Sequence, residues 1–191
     1  MFNKMFTKLP VGCFTDILRM CYDYGRIRLA KDRGDGMRLT SFTEYSLRVL
    51  LYLGTRPKGQ LSSIKEISSI YHISTNHLSK IVYELGKLGL IQTIRGRNGG
   101  IRLAKDPEEI NIGWVVRQTE EDFHQAACFD ESKQGCIISS ACRLKSVLSE
   151  ALNAYLNVLD SYSLQDLLVN QKTLQRLFEQ TAQIPRRELT E

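Results

Sequence analysis

Apolar residues recur at intervals of three and four between residues 40 and 90, which predicts three amphipathic helices. The first begins with a capping box in which Ser41 is the N-cap and the Glu44 side chain reaches back to the Ser41 amide. A second box at residues 63–66 opens a short helix. Ser74 caps a third helix over Thr75–Lys87, which ends at Gly89 as its C-cap. The tight turn that joins the last two predicts a helix-turn-helix.

Polar and apolar residues then alternate at positions 90–95 and 100–104, the period of two that β-strands show. The segment Arg97-Asn98-Gly99-Gly100 is predicted to turn between them, because Asn-Gly is a strong hairpin signal. A helix-turn-helix followed by a basic hairpin predicts a winged helix.

The second half of the chain shows only helical periodicity. A helix is predicted over residues 110–119, and a long helix runs from Ser140 to about Tyr162. A last helix begins after a cap at residues 163–166 and ends near Thr181. The long helix carries an apolar seam with steps of 4, 3, 4, 3 and 4, formed by Leu144, Leu148, Ala151, Tyr155, Val158 and Tyr162. So wide a stripe predicts a symmetric homodimer through this helix, the alternative being packing within one chain.

These elements predict a mainly α fold: a winged helix-turn-helix with a two-stranded β wing plus a long C-terminal dimerisation helix. The expected segments are a winged-helix domain at 37–105, a linker helix and cysteine loop at 106–139, dimerisation helices at 140–182 and a tail at 183–191. Residues 1–36 lack a clear period, and their end is compatible with a purine-rich ribosome-binding sequence just before Met37. A translated leader is therefore expected there, the alternative being a short N-terminal arm.

Charge divides the chain unevenly. The net charge of +5 comprises +8 in residues 37–105, where eleven Lys and Arg stand against three acids, −6 in residues 106–191 and +3 in residues 1–36. A basic front half indicates a module that binds a polyanion. No apolar run approaches the ~20 residues that span a bilayer, and no export signal is evident. A cytoplasmic location and no membrane partner are therefore expected.

Polar and basic side chains on the third helix and the hairpin are candidates for contacts with double-stranded DNA. Short polar groups at a helix N-terminus can reach base edges in the major groove, and an Arg at a hairpin tip can follow the backbone or enter a narrow minor groove. Candidates on the third helix are Ser74, Thr75, Asn76, His77, Ser79 and Lys80, and those on the wing are Arg95, Arg97, Asn98 and Arg102. Arg38, Tyr45 and Arg48 are candidates for additional backbone contacts.

Three cysteines lie within fifteen residues, spaced C-x7-C-x5-C at Cys128, Cys136 and Cys142. In a reducing compartment such a cluster indicates a metal site or a redox sensor rather than disulfides. Three thiols suit zinc or the iron of an iron–sulfur cluster, the alternative being small buried side chains. A structural zinc site needs a fourth ligand, and none is obvious nearby. His124 is a further candidate.

Four segments together resemble the family of winged-helix iron–sulfur transcriptional repressors. They are MRLTSFTEYSLRVL at Met37, ISTNHLSKIVYELGKLGLIQTIRGRNGGIRL at Ile73, NIGWVVRQTE at Asn111 and the three cysteines with ACRLK. The resemblance implies that Cys128, Cys136 and Cys142 bind an iron–sulfur cluster, with 4Fe–4S favoured over 2Fe–2S. It also implies that Glu44 of the other subunit's first helix is the fourth ligand, in competition with its role in the capping box. Lys145 stands where the family's cluster-assembly regulators have a His, which favours the nitric-oxide-sensitive members.

The expected function is a dimeric repressor that leaves its palindromic operator when nitric oxide attacks the cluster. Two alternatives remain open at this point. One is a regulator of the same family that senses iron–sulfur or redox status, through zinc or direct thiol oxidation. The other is a thiol redox enzyme, although the chain has no C-x-x-C and no evident general base near its thiols.

Overall fold

The computed structural model describes residues 38–123, 129, 138 and 141–183. Contacts divide the chain into two units, residues 1–38 and residues 39–191, and every element below belongs to the second. The α-helices are α1 (Ser41–Gly54), α2 (Ile64–Tyr71), α3 (Thr75–Lys87), α4 (Ile112–Thr119), α5 (Arg143–Asp160) and α6 (Gln171–Gln183). The strands are β1 (Ile91–Ile94) and β2 (Gly100–Leu103), and 3-10 turns occupy Pro107–Glu109 and Gln165–Leu168. The order confirms the predicted winged helix-turn-helix with helices after it.

The start of α1 differs from the prediction. Thr40, not Ser41, is the N-cap, and its hydroxyl accepts the Thr43 amide. Glu44 does not reach back to the cap and instead forms an ion pair with Arg48 one turn further along. The acid that receives the N-cap amide is Glu120, whose Oε1 lies 2.8 Å from the Thr40 nitrogen. The predicted capping box is therefore wrong, because a side chain 80 residues away takes the place that Glu44 was expected to fill.

The helix-turn-helix follows its local signals closely. Ser63 and Ser74 cap α2 and α3 by accepting the amides three residues on. His72 adopts the left-handed conformation between them at φ 55°. After α3 the C-cap is Leu88, and Gly89 follows it at φ +70°. Its amide and that of Leu90 return to the carbonyls of Gly86 and Leu85, which is a Schellman motif.

The wing is an antiparallel pair in which Ile91 faces Leu103 and Ile94 faces Gly100. Its turn lies one residue earlier than predicted, since the Gly99 amide donates to the Gly96 carbonyl. A side chain at Gly99 would collide with the Ile94 carbonyl oxygen, so the glycine is required by close approach. Ser62 exchanges backbone hydrogen bonds with Ile101 at 3.0 and 2.9 Å, which fixes the wing to the segment before α2.

One hydrophobic core joins the winged helix to the helices that follow it. Its fully buried members include Leu50 on α1, Leu78 on α3, Ile101 on β2, Val115 on α4 and Leu164 just after α5. Helix α6 covers α1 and α2 through Phe178, whose ring lies 5.2 Å from that of Tyr52 and 5.7 Å from that of Tyr71. Both Gln171 and Gln175 donate to the Thr55 carbonyl at the end of α1. The last helix therefore packs on the helix-turn-helix of its own chain.

Helix α5 buries one stripe and exposes another. Leu156 is buried and Leu159 packs against the core. The exposed stripe consists of Leu144, Val147, Tyr155, Val158 and, just beyond the helix, Tyr162. Within the part of the chain that the structure describes, no helix has both the length and the apolar character that a membrane span requires.

Candidate DNA-binding surface and cysteine site

The N-terminal half of α3 presents its predicted DNA-binding residues to solvent. Ser74, Thr75, Asn76, His77, Ser79 and Lys80 are all exposed. Two of the hydroxyls have structural partners: Ser74 caps the helix, and Ser79 donates to the Thr75 carbonyl at 2.7 Å. Among the described residues, Asn76 and Lys80 have no polar partner. These two are therefore the side chains on this helix most available to bases and phosphates.

A groove of about 630 Å³ runs between α1 and the exposed face of α3. Its walls include Phe42 and Tyr45 on α1 and His77, Lys80 and Tyr83 on α3. Tyr45, a candidate on α1, thus lies at the same surface as the candidates on α3, the recognition helix of the helix-turn-helix. A displacement of α1 would change this surface directly.

Arg48 lies beside the groove and already has an acidic partner. Its guanidinium lies 5.8 Å from the Tyr45 ring centroid and 5.7 Å from that of Tyr71, and it pairs with Glu44. A phosphate contact from Arg48 would therefore compete with its ion pair to Glu44.

The candidate residues of the wing lie at two places, its tip and its base. Arg95, Arg97 and Asn98 are exposed at the tip. Arg102 lies at the base, where its Nε donates to Gln92 at 3.0 Å. Its Nη1 lies beside Gly59, 3.8 Å from the position that an added Cβ would take. Arg102 therefore borders the connection between α1 and α2 rather than the tip. Arg38 is exposed just before α1.

Pairing within the winged helix leaves it strongly basic. All three of its acids have a basic partner in the same domain: Glu44 with Arg48, Glu66 with Arg56 and Glu84 with Lys87. Among the described residues of the winged helix, the cations without an acidic partner are Arg38, Lys65, Lys80, Arg95, Arg97, Arg102 and Lys105. Such an excess of unpaired cations favours binding to the phosphate backbone of nucleic acid.

A partly buried polar cluster joins α1 and α2. The Tyr52 hydroxyl donates to Glu66, which also receives Arg56 at 2.8 Å. Burial, together with the bond to Glu66, raises the pKa of Tyr52 to about 12, and burial raises the pKa of Tyr71 to about 12. Both hydroxyls therefore stay protonated at neutral pH, and this cluster holds α2 against α1.

The cysteine site is described only in part. Cys142 is a free thiol, half-buried, at the N-cap of α5. Cys128, Cys136 and His124 lie outside the described residues. Phe129, next in sequence to Cys128, has its ring 5.8 Å from the Lys145 ammonium in the first turn of α5. Within the described ranges, no group of three or more His, Cys, Asp and Glu side chains could hold a metal ion.

Sequence reasoning missed three residues that connect the elements of this site. Glu120 joins the end of α4 to the start of α1, and Arg117 on α4 pairs with Asp160 at the end of α5. The hydrogen bond from Arg117 lowers the pKa of Asp160. These pairs are separated by 80 and 43 residues, so no local spacing indicates them.

The exposed polar helix, basic wing and charge excess define a winged-helix DNA-binding protein of the transcription-regulator class. Residues 39–170 match the model of the Rrf2 family, described as iron-dependent transcriptional regulators. The chain belongs to the Rrf2 family. It is a transcriptional regulator rather than an enzyme, and DNA is its partner.

Relatives and solved structures agree with this assignment. The HTH-type transcriptional regulator NsrR of Halalkalibacterium halodurans is 62% identical over 141 residues, which cover 74% of this chain and 97% of that protein. The NsrR of Bacillus subtilis is 57% identical over 141 residues, with the same two coverages. The oxidized form of Staphylococcus aureus CymR superimposes with a TM-score of 0.57 at 26% identity, covering 70% of this chain and 97% of the other.

Proposed function

We propose that this chain is a nitric-oxide-sensing repressor that binds a palindromic operator as a cytoplasmic homodimer and holds an iron–sulfur cluster. The observation that carries the proposal is the state of Glu44. Glu44 takes no part in the helix cap, and its side chain is 46% exposed. It pairs with Arg48, which lies beside the DNA-facing groove. A carboxylate in this position can serve as a metal ligand. A gain or loss of that bond would change the surface at which DNA is proposed to bind.

The donor set suits an iron–sulfur cluster. Cys142 stands at the N-terminus of an 18-residue helix, which favours the negative charge of a ligand sulfur. The contact between Phe129 and Lys145 brings the sequence neighbourhoods of Cys128 and Cys142 together. We assign Cys128, Cys136 and Cys142, with Glu44 of the partner subunit, as the ligands, and favour 4Fe–4S over 2Fe–2S. When bound, the cluster supplies iron that reacts with nitric oxide.

The response of the chain follows from its contacts. Glu44 forms an ion pair with Arg48, so ligation and this ion pair compete for one carboxylate. Arg48 also contacts Tyr45 and Tyr71, so a change at Glu44 reaches both α1 and the end of α2. Movement of α1 alters the groove that it shares with α3 and takes the recognition helices out of register with the two half-sites.

Metal analysis after anaerobic purification tests the cofactor assignment. Wild type is expected to be brown and to contain iron and acid-labile sulfide in comparable amounts. Cys142→Ser is expected to lose most of both, because it removes a ligand. Ala141→Ser, an exposed position next to Cys142 that carries no thiol, serves as the matched control and is expected to match wild type. Colourless wild-type protein carrying zinc, or no metal, would contradict the assignment.

A second candidate function is a direct thiol switch. Cys142 is a free and partly exposed thiol, and a structural relative, CymR, is known in an oxidized form. In that case metal-free protein treated with peroxide would change its DNA affinity, and Cys142→Ser would abolish the response. Metal-free protein that ignores peroxide would exclude this candidate.

A further inference from the structure

The end of α5 meets α4 in a joint formed by Asn111, Gly113, Arg117 and Asp160. Asp160 is the last residue of α5, and its carboxylate receives both terminal nitrogens of Arg117, with 2.7 Å between Nη2 and Oδ2. Its carbonyl accepts the Asn111 side-chain amide, also at 2.7 Å. One residue of α5 is thus held from both ends of α4.

The backbones at this joint are close together. A Cβ added at Gly113 would lie 2.7 Å from the Asp160 backbone nitrogen, closer than real Cβ atoms come. The Ile112 amide donates to the Tyr162 carbonyl at 2.9 Å, and the Leu164 amide donates to the Ile110 carbonyl at 2.7 Å. The joint therefore leaves little freedom for α5 to change its angle to α4.

The two helices of the joint, α4 and α5, lead to different surfaces of the molecule. Helix α4 belongs to the core of the winged helix through Ile112 and Val115, and Glu120 at its end binds the start of α1. Helix α5 packs on the same core through Leu159, and its other side exposes the apolar stripe that includes Tyr155 and Val158. The joint fixes the end of α5, and with the Leu159 contact it sets the direction of the exposed stripe relative to the DNA-binding surface.

We propose that Arg117 and Asp160 are positioning residues that set the spacing of the two operator half-sites. The inference rests on the proposed function, and it takes the two chains of the dimer to associate through the exposed stripe of α5. A symmetric dimer applies the angle at the joint twice. A rotation of about 10° displaces a point ~20 Å away by roughly 3.5 Å, about the rise of one base pair. Because half-site spacing mirrors dimer geometry, the joint selects the spacer length.

The ion pair is suited to orientation more than to stability. Its side chains are 36% and 38% exposed, and exposed pairs contribute little to folding. Two parallel hydrogen bonds from a planar guanidinium nevertheless fix an angle that a single bond would leave free. Loss of the pair should therefore change spacing preference more than it changes the melting temperature.

A spacer series measures this effect directly. Full-length wild type, purified anaerobically, selects its duplex from a random library, and synthetic duplexes then carry the same half-sites with the spacer changed by one or two base pairs. Wild type is expected to prefer one spacing by about tenfold over its neighbours. Arg117→Ala is expected to reduce that preference to about threefold or less, with single half-site binding unchanged. Arg117→Lys restores part of it.

Matched variants separate the joint from general effects. Lys58→Ala removes an ion pair with Asp106, a residue 48 positions away and remote from α5, and is expected to keep the wild-type preference. Gly113→Ala wedges the joint open and is expected to act like Arg117→Ala. If Arg117→Ala does not fold, Asp160→Asn and Arg117→Lys carry the same comparison.

The outcomes distinguish the inference from the proposed function. If wild type selects no duplex, the proposed function fails, and the inference falls with it. If wild type shows a clear spacing preference and the folded Arg117 and Asp160 variants keep it unchanged, the inference alone is overturned.

Discussion

Thr40 and Glu120 show how one distant side chain decides a local structure. The run Thr40-Ser41-Phe42-Thr43-Glu44 offers two cap registers, Thr40 with Thr43 and Ser41 with Glu44, and both satisfy local rules. The bond from the Thr40 amide to Glu120 accompanies the first register. Glu44 then pairs with Arg48, so the prediction that it closes a capping box was wrong. Its role as a cluster ligand is a separate proposal.

Replacing Glu120 tests whether this bond matters to the fold. Glu120→Ala is expected to lower the free energy of unfolding by roughly 0.5–1.5 kcal/mol, since it removes a charge-assisted bond to the α1 N-cap amide. Urea denaturation with a shared m-value measures it. Glu121→Ala, the exposed neighbouring acid, is the control and should be within about 0.5 kcal/mol of wild type. Equal losses in both variants would show that the bond adds nothing specific.

At the scale of elements, local signals predicted what local forces determine. Ser63 and Ser74 are N-caps as expected, because caps depend on neighbours within three residues. Gly89, predicted as a C-cap, instead follows the C-cap Leu88 in a Schellman motif. The wing was predicted in place, but its turn was shifted by one residue, since Gly99 is needed for close approach and not for a positive φ. Helix α5 begins at Arg143 and not at Ser140, with Cys142 as its N-cap.

The exposed stripe of α5 gives the dimer proposal a direct test. Val158 is 58% exposed in the single chain, so an acidic residue there should leave the monomer folded. Val158→Asp is expected to weaken self-association by at least about tenfold, because burying an unpaired charge costs several kcal/mol. Sedimentation equilibrium measures the change. Asn157→Asp, adjacent and also exposed, should associate like wild type. A monomeric wild type, or a Val158→Asp dimer of wild-type affinity, would contradict dimerisation through this face.

At the scale of the whole molecule, the sequence predicted the elements better than the connections between them. Periodicity and caps depend on a few neighbouring residues, whereas the Arg117–Asp160 and Thr40–Glu120 contacts join residues 43 and 80 positions apart. The exposure of the DNA-binding candidates on α3 was predictable because the apolar positions of the helix define its buried face. That Arg102 would lie at the base of the wing was not, because its direction depends on Gln92 and Gly59. Cys128 and Cys136 stay predictions.

The central claim is that the state of the cysteine site controls DNA binding. The most direct test is the dissociation constant of anaerobically purified protein for its selected duplex, at fixed salt, before and after addition of a nitric-oxide donor. We expect binding in the nanomolar range before treatment and at least about tenfold weaker binding afterwards. Cys142→Ser is expected to bind weakly in both conditions. An unchanged dissociation constant in wild type that was purified with iron and sulfide and lost them to the donor would contradict the account.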